Sequence, residues 1–297
     1  MPTYRLDVAY DGTGFRGYAI QPDQRTVQGE LEAALAHHIG PVGTSVAGRT
    51  DRGVHAAGQV IGFTHAVEID TERVLRSLNS QLGEEIAILE LRRVDDGFHA
   101  RFSATGRAYR YQVLNRTVHD PQQARTSWHV AERLDVDAMN EASALLVGTH
   151  DFASFCRSTA GPMTTREVKW ASWRRREDLV ELAIAANAFC HQMVRGLVVV
   201  LVDVGRRRVS PAEIKAMLAA EDRSTGGGAA PPQGLTLMAV GYPEEPLEPP
   251  DWIRVVSPPV AGSPTRGSGK GAFLRGVPPK GGGELSREPT PPAPDLA

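Results

Sequence analysis

The amino-acid sequence predicts an α+β protein made of two halves that meet near residue 105. Segments with the two-residue period of a strand alternate with segments of helical period, and the same mixture recurs in the second half. With 297 residues, 41% of them hydrophobic and 23% charged, the chain is long and apolar enough to form about two domains with buried cores. A globular enzyme or binding protein is therefore the starting class.

The first half opens with a strand followed by a helix. Residues 4–10 alternate as in a strand, and apolar side chains then recur at helical spacing from 27 to 39. A second strand fits residues 59–64, a second helix fits 71–82 and a third strand fits 86–94. This order predicts helices packed on one face of a sheet.

The second half repeats the mixture of strands and helices. Ser210 and Glu213 on either side of Pro211 form a capping box and predict that a helix begins there. Gly205 is expected to end the apolar helix before it. The remaining predicted elements are strands at 108–114, 167–173, 179–186 and 235–241 and helices at 135–147 and 194–205.

The composition changes at about Pro243, where proline pairs and glycine runs replace aliphatic residues. Such a segment cannot offset the entropy lost on ordering, so we expect it to be mostly disordered. The predicted organisation is an N-terminal α+β domain at 1–105, a C-terminal α+β domain at 106–243 and a tail at 244–297.

Charge, cysteine content and hydropathy exclude several classes of protein. The formal net charge of -2 lacks the basic excess typical of nucleic-acid binding, although the arginines cluster. Cys156 and Cys190 are too few and too far apart for a zinc site or a disulfide framework, and we expect buried thiols. No stretch is apolar enough to span a membrane and the N-terminus has no signal core, so we expect a cytoplasmic protein.

Residues 12–17 match the dinucleotide fingerprint G-x-G-x-x-G and follow a strand. In that fingerprint the third glycine opens a helix whose N-terminus holds the pyrophosphate. Here Pro22 and a polar stretch intervene before the helical pattern begins near Thr26, and Glu32 lies inside that helix. We therefore interpret the segment as a glycine-rich loop and expect no cofactor.

The segment from Gly48 to Ala56 brings two arginines, a carboxylate and a histidine together. Guanidinium groups beside Asp51 would keep it ionised, which is the state that a nucleophile or a base requires. An arginine–aspartate pair that only braces a loop would leave the same pattern. On the residues alone, Asp51 is thus one candidate for a catalytic carboxylate.

The same segment resembles the signature G-R-T-D-x-G-V-H-A of the tRNA pseudouridine synthase A family. Other family motifs occur on both sides of this segment, in the same order as in the family, and the resemblance covers about residues 4–242. They are Tyr10-Asp11-Gly12-Thr13-Gly14-Phe15, Gln21-Pro22, Arg25-Thr26-Val27-Gln28-Gly29, Leu31-Glu32, Phe98-His99-Ala100-Arg101, Arg107-Ala108-Tyr109-Arg110-Tyr111, His150-Asp151-Phe152, Ala188-Phe189, Met193-Val194-Arg195 and Gly234-Leu235-Thr236-Leu237.

The resemblance implies that the chain isomerises uridine to pseudouridine at positions 38–40 of the tRNA anticodon stem-loop. Asp51 would be the nucleophile, Arg49 would pair with it near the flipped base, and Tyr109 would pack on the uracil and could assist removal of the C5 proton. The glycosidic bond at N1 breaks, the uracil turns while held, and a carbon–carbon bond forms at C5. Neither a metal nor a small-molecule cofactor is needed.

A flipped uridine must be held by basic and aromatic groups. The residues expected to bind substrate are Tyr109, Arg52, His55, Arg101, Arg107, Arg110 and Arg195. Each has a plainer alternative: the arginines could be solvated, His55 and His99 could brace loops, and Tyr109 could be a core aromatic. Tyr111, on the same strand face as Tyr109, is expected to be core.

By resemblance, the two halves are of ferredoxin-like, RNA-recognition type, with mixed, mainly antiparallel sheets that join across a central basic cleft. The family works as a homodimer, and one tRNA contacts both subunits. The apolar stripe at 194–202 could serve that dimer, although an intrachain core explains it equally well. No membrane partner is expected.

The chain departs from the family pattern at two places. Tyr18 and Ala19 replace a usual Trp-Gln, where Tyr18 could still stack, and Cys190 and Gln192 replace Leu and His. Two other hypotheses remain. The chain could be a catalytically inactive RNA-binding protein on the same fold, or an unrelated α+β protein with a structural Arg–Asp pair. The sequence leaves open whether Asp51 attacks the base or the sugar.

Overall fold

The computed structural model describes residues 1–157 and 164–253, which form ten strands and five α-helices. The strands are β1 (Thr3–Tyr10), β2 (Ser45–Val46), β3 (His55–Thr64), β4 (Ile86–Val94), β5 (Gly106–Leu114), β6 (Trp128–His129), β7 (Gly148–Asp151), β8 (Thr165–Arg176), β9 (Leu179–Ala186) and β10 (Leu235–Gly241). The helices are α1 (Val27–Ile39), α2 (Thr71–Gln81), α3 (Val136–Ala144), α4 (Met193–Gly205) and α5 (Pro211–Ala220).

The α+β class is confirmed, and every predicted helix and strand is present. The strands that the sequence did not predict, β2, β6 and β7, are two to four residues long, too short to show a period. The predicted capping box opens α5, where the backbone N–H of Ser210 donates to Glu213 Oε2 at 2.7 Å. Within the described ranges, no helix is both long and apolar enough to cross a membrane.

All ten strands belong to one sheet, in the order β4-β1-β3-β10-β5-β9-β8-β7, with β2 beside β3 and β6 beside β5. Pairing is antiparallel except for β10 with β3 and β6 with β5, so the prediction of a mixed, mainly antiparallel sheet is confirmed. The last strand, β10, joins the halves. Thr236 of β10 pairs with His55 of β3 on one side and with Arg110 of β5 on the other.

Each half has its own hydrophobic core on the helical face of the sheet. Leu6, Leu35 and Leu78 belong to the first core, which β1, α1 and α2 share. The second core is built around α4, whose buried residues lie on all sides of the helix. The apolar stripe at 194–202 is therefore an intrachain core and not a free dimer surface. The proposed domain boundaries stay a prediction, because one sheet runs through both halves.

The first ten residues of the expected tail are packed against the protein. Glu245 accepts from Arg5 at 2.8 Å and from Arg92 at 2.6 Å, and Trp252 lies under the Arg174 guanidinium. Residues 244–253 were expected to be disordered. Leu247, Trp252 and Ile253 nevertheless pack against a small hydrophobic cluster, and composition alone does not reveal such contacts. Residues 254–297 lie outside the described ranges.

Candidate active site

The carboxylate loop, residues 48–54, connects β2 to β3 and is held by a buried hydrogen-bond network. The Tyr10 hydroxyl lies 2.8 Å from Thr50 Oγ1, and Gln59 Nε2 donates to the Gly48 carbonyl at 2.7 Å. Gln59 Nε2 is also 3.3 Å from the Tyr10 hydroxyl. Burial raises the pKa of Tyr10 to about 12, so its hydroxyl stays protonated at neutral pH. Strands β1 and β3 thereby hold the carboxylate loop at Gly48 and Thr50, just before Asp51.

The glycine-rich segment at 12–17 packs against this loop. A Cβ on Gly12 would lie 2.1 Å from the Val54 carbonyl oxygen, and Gly17 adopts a φ of +107° beside the Thr50 carbonyl. The segment forms one 3₁₀ turn at Gly12–Gly14, and the first α-helix starts only at Val27. These glycines therefore allow a close backbone approach to the carboxylate loop.

Tyr18 follows the glycine-rich segment and points into the core. It is 1% exposed, and its ring centroid is 6.5 Å from that of Tyr10. The expectation that Tyr18 could stack on a base is wrong, because its ring fills the first core. A motif comparison shows which residue stands at a position but not which way its side chain points.

The ionic partners of Asp51 come from the second half. Arg195 Nη1 on α4 lies 2.9 Å from Asp51 Oδ2, and His191 Nε2 lies 3.3 Å from Oδ1. Arg195 is further held by its Nε, which donates to the Ala230 carbonyl at 2.7 Å. Asp51 remains 27% exposed, so solvent or a ligand can reach it.

Two expected arginine roles change as a result. Arg49 was expected to pair with Asp51, but it is exposed and forms no ion pair among the described residues. Arg195 was expected to contact phosphate, and it takes the place beside Asp51 instead. Arg195 and Asp51 are 144 residues apart in the chain, so local sequence patterns cannot predict that they pair.

Arg107 is a buried junction between three segments around the site. Its guanidinium donates to the carbonyls of Ala47 at 2.7 Å, Arg101 at 3.0 Å and Asn187 at 3.1 Å. Burial lowers the pKa of Arg107, and only 9% of the residue is exposed. The expected contact of Arg107 with phosphate is therefore wrong. Its role is structural, because Arg107 ties the start of the carboxylate loop to two neighbouring loops.

Tyr109 lies half-buried beside the carboxylate loop. Its hydroxyl is 3.9 Å from the place that a Cβ on Gly48 would take. Its ring is nearly perpendicular to that of Phe189, and the two ring centroids are 5.2 Å apart. Burial above all, and then the nearby Tyr10 and Asp51, raise the pKa of Tyr109, so the phenol stays protonated. Tyr111 is fully buried and donates to the Pro231 carbonyl at 2.8 Å, in keeping with the core position expected for it.

The remaining predicted arginines separate into two groups. Arg110 points to the opposite face of β5 from Tyr109, so it faces away from Asp51, and burial lowers the pKa of its guanidinium. Arg52 and Arg101 are exposed. Together with Arg49, these two leave three exposed arginines in or next to the carboxylate loop.

His55 is buried and joins three loops. Its Nδ1 lies 3.1 Å from the Gly12 backbone nitrogen, and its Nε2 lies 2.9 Å from the Arg125 carbonyl and 3.1 Å from that of Gln233. Asp11 Oδ1 is 3.0 Å from Nδ1. With both ring nitrogens engaged, the geometry favours the loop-bracing alternative over contact with substrate.

Cys156 and Cys190 form a disulfide in the structure, with their Cα atoms 5.8 Å apart. They were expected to be separate thiols. A 34-residue separation says nothing about proximity, and the fold brings the two loops together. Cys190 immediately precedes His191, whose carbonyl accepts from the Arg157 backbone at 2.9 Å.

Sequence reasoning missed His191, Tyr10 and Gln59 as neighbours of the site. His191 stands in a segment compared with the family's Phe-Leu-His-His-Met, and that motif is the signal that could have found it. Tyr10 opens another matched motif. Gln59 has no such signal, because a polar residue on a strand is ordinary until its partners are known.

Comparison with known proteins agrees with the resemblance. A family model described as tRNA pseudouridine synthase matches residues 8–103 and 142–243. The tRNA pseudouridine synthase A of Bacillus pumilus is 44% identical over 244 residues, covering 80% of this chain and 98% of that protein. The corresponding protein of Moorella thermoacetica is 44% identical over 247 residues, covering 82% and 100%. That of Bacillus subtilis is 43% identical over 244 residues, covering 80% and 98%.

Among solved structures, a Cbf5-Nop10-Gar1 complex matches with a TM-score of 0.31 and 11% identity, over 79% of this chain and 57% of that one, which is too weak to support an argument. The family assignment depends on the sequence matches. The family-model match includes the carboxylate loop with Asp51 and its partner Arg195, while Tyr109 lies between the two matched ranges. The chain therefore belongs to the tRNA pseudouridine synthase family, whose members are isomerases that convert uridine to pseudouridine.

Proposed function

We propose that this chain isomerises uridine to pseudouridine at positions 38–40 of the tRNA anticodon stem-loop, with Asp51 as the attacking carboxylate. The observation that carries the proposal is the pairing of an accessible Asp51 with Arg195 at 2.9 Å. The loop that carries Asp51 is held by buried hydrogen bonds from Tyr10 and Gln59. An arginine at that distance orients the carboxylate through a charge-assisted hydrogen bond. A carboxylate with this support is suited to nucleophilic attack.

The chemistry needs only the atoms of the uridine and this carboxylate. Asp51 attacks the base or the sugar, the bond between N1 and C1′ breaks, and the uracil turns in place. A bond then forms between C5 and C1′, the proton on C5 is lost to solvent, N1 takes up a proton in its place, and Asp51 is released as a free carboxylate. Tyr109, whose hydroxyl lies beside the carboxylate loop, is proposed to pack on the uracil and to assist removal of the C5 proton.

Exposed arginines around Asp51 support RNA binding. Arg49 and Arg52 flank the carboxylate on its own loop, and Arg101 lies on a loop that Arg107 ties to the same strand end. Guanidinium groups grip phosphate oxygens and so position RNA without reading its sequence. By the family resemblance, Arg49 would occupy the space near the flipped base.

The test is pseudouridine formation in unmodified tRNA with uridine at 38, 39 or 40 alone, using the intact protein and Asp51→Asn without added cofactor. We expect product with the intact protein, a loss of at least about a thousand-fold with the variant, and unchanged tRNA binding. An intact protein that binds tRNA and forms no product would favour the inactive RNA-binding alternative. Full activity of Asp51→Asn would favour the purely structural pair.

A homodimer and a cytoplasmic location complete the proposal. The dimer is supported by the family resemblance alone, because the apolar stripe of α4 is used inside the chain. Sedimentation equilibrium with and without tRNA tests it, and a monomer in both states would contradict it. The cytoplasm is where a tRNA substrate is met, and cell fractionation tests that location.

A further inference from the structure

Phe102 stands in solvent on a loop that Arg107 ties to the start of the carboxylate loop. It is 78% exposed, more than any other large hydrophobic side chain in the described part of the protein, and it is the one exposed aromatic among them. A single exposed apolar residue needs no explanation by itself. Phe102 differs in its surroundings, which fix the ring in place without covering it.

The short loop at 99–103 holds the Phe102 backbone through hydrogen bonds to one histidine. His99 Nδ1 accepts from the backbone N–H groups of Arg101 at 3.1 Å and Phe102 at 3.3 Å. The His99 carbonyl accepts from Ser103 at 2.9 Å, and Ser103 Oγ accepts from the His99 N–H at 3.0 Å. The histidine ring also lies 4.4 Å from the Phe102 ring centre. The backbone of the loop is thus fixed, and the exposed ring lies against the His99 ring before any ligand arrives.

This loop is coupled to the carboxylate loop and carries a positive charge. Arg107 donates both to the Arg101 carbonyl and to the Ala47 carbonyl, one residue before Gly48. The Arg101 guanidinium lies 5.7 Å from the centre of the Phe102 ring. An open aromatic face beside an arginine is the combination that binds unpaired nucleotides, since the ring stacks on a base and the cation meets the phosphate.

We propose that Phe102 is a stacking platform for an unpaired nucleobase of the bound RNA, and that Arg101 holds the phosphate of the same nucleotide. The proposal rests on the proposed function only in taking RNA as the ligand. Every base offers a π-face, so this contact adds affinity without selecting a sequence. The competing occupant is a second copy of the chain, and the adjoining arginine and the tie to the carboxylate loop favour RNA.

The experiment compares Phe102→Ala, Phe102→Leu and Phe102→Trp in the full-length protein, with unmodified tRNA as the probe. We expect Ala and Leu to raise Kd and KM by about ten-fold and Trp to keep both, with kcat at saturating tRNA nearly unchanged. Leu89→Ala is the matched control, because Leu89 is a 56% exposed apolar residue on β4. Melting curves confirm that each variant folds.

Three results would overturn the proposal. Phe102→Leu with wild-type affinity would mean that the ring does not stack, and Phe102→Ala with unchanged Kd would remove the contact altogether. A shift in oligomeric state with Phe102→Ala, at unchanged RNA affinity, would assign the ring to a second copy. Failure of the proposed function looks different: the intact protein would form no pseudouridine, while the affinity ranking of the Phe102 variants could still hold.

Discussion

The two halves of the sheet contribute different things to the same carboxylate. The first half fixes the backbone around Asp51 through Tyr10 and Gln59, which are buried and bonded to neutral groups. The second half supplies the polar partners of the carboxylate, which are the Arg195 guanidinium and the His191 ring. The position of the Asp51 backbone and the partners of its carboxylate are therefore set by different halves. The two halves come together at Asp51 because β10 pairs with a strand of each.

The contrast extends to solvent exposure. Buried neutral hydrogen bonds hold a loop against thermal motion, because breaking one leaves an unpaired polar group in the core. Partners at the surface of the site can be exchanged, since water can solvate either group and a phosphate can compete with the carboxylate for the cation. Arg195 is 13% exposed and His191 is 41% exposed, so we expect Arg195 to matter more.

The largest expected effect comes from removing the main ionic partner. Arg195→Gln should lower kcat by about a hundred-fold or more, because a preorganised charge beside the reacting carboxylate is lost. Arg174→Gln is the matched control, since Arg174 pairs with Glu181 at 2.7 Å in the same half but away from the site. Single-turnover rates measure both. Equal rates in the two variants would show that the charge of Arg195 is not used.

The next effect tests the junction between the halves. Arg107→Met should lower kcat/KM by about thirty-fold, because the three loops that it holds can then move independently. Arg5→Met is the control, because Arg5 is similarly buried but bonds Asp7 and Glu245 outside the site. If both variants lost melting temperature and activity in proportion, Arg107 would be a stability residue only.

A smaller effect should come from the buried network. Tyr10→Phe removes the hydroxyl that meets Thr50 and should lower kcat by about ten-fold with KM little changed, because the carboxylate loop loosens. Tyr4→Phe is matched to it, since Tyr4 is a buried tyrosine of the same strand whose hydroxyl accepts from Ile69 at 3.0 Å. An equal loss of kcat in both variants would contradict the positioning role.

The smallest effect should come from the exposed partner. His191→Asn should lower kcat by about two- to five-fold, in keeping with the small energies of exposed ion pairs. His129→Asn is the control, because His129 binds the Arg116 carbonyl in the same half, outside the contacts of Asp51. A loss larger than that of Arg195→Gln would reverse the ranking of the two partners.

Much of the local structure could be predicted from the sequence. The strand at 86–94 and the helix at 27–39 match their observed bounds, and the capping box at Ser210 opens α5 as expected. These features depend on neighbouring residues only, since side-chain period and cap chemistry act over one or two turns. The candidate carboxylate and the family resemblance could also be read from short motifs.

The sequence by itself therefore determined the longer helices and strands, the fold class and the candidate Asp51. Tertiary structure alone decided that Arg195 and not Arg49 pairs with Asp51, that Arg107 is a buried junction, and that Cys156 meets Cys190. Each of these contacts joins segments that are far apart in the chain. Local periodicity carries no information about such contacts, because they exist only once strand order and helix packing have brought the segments together.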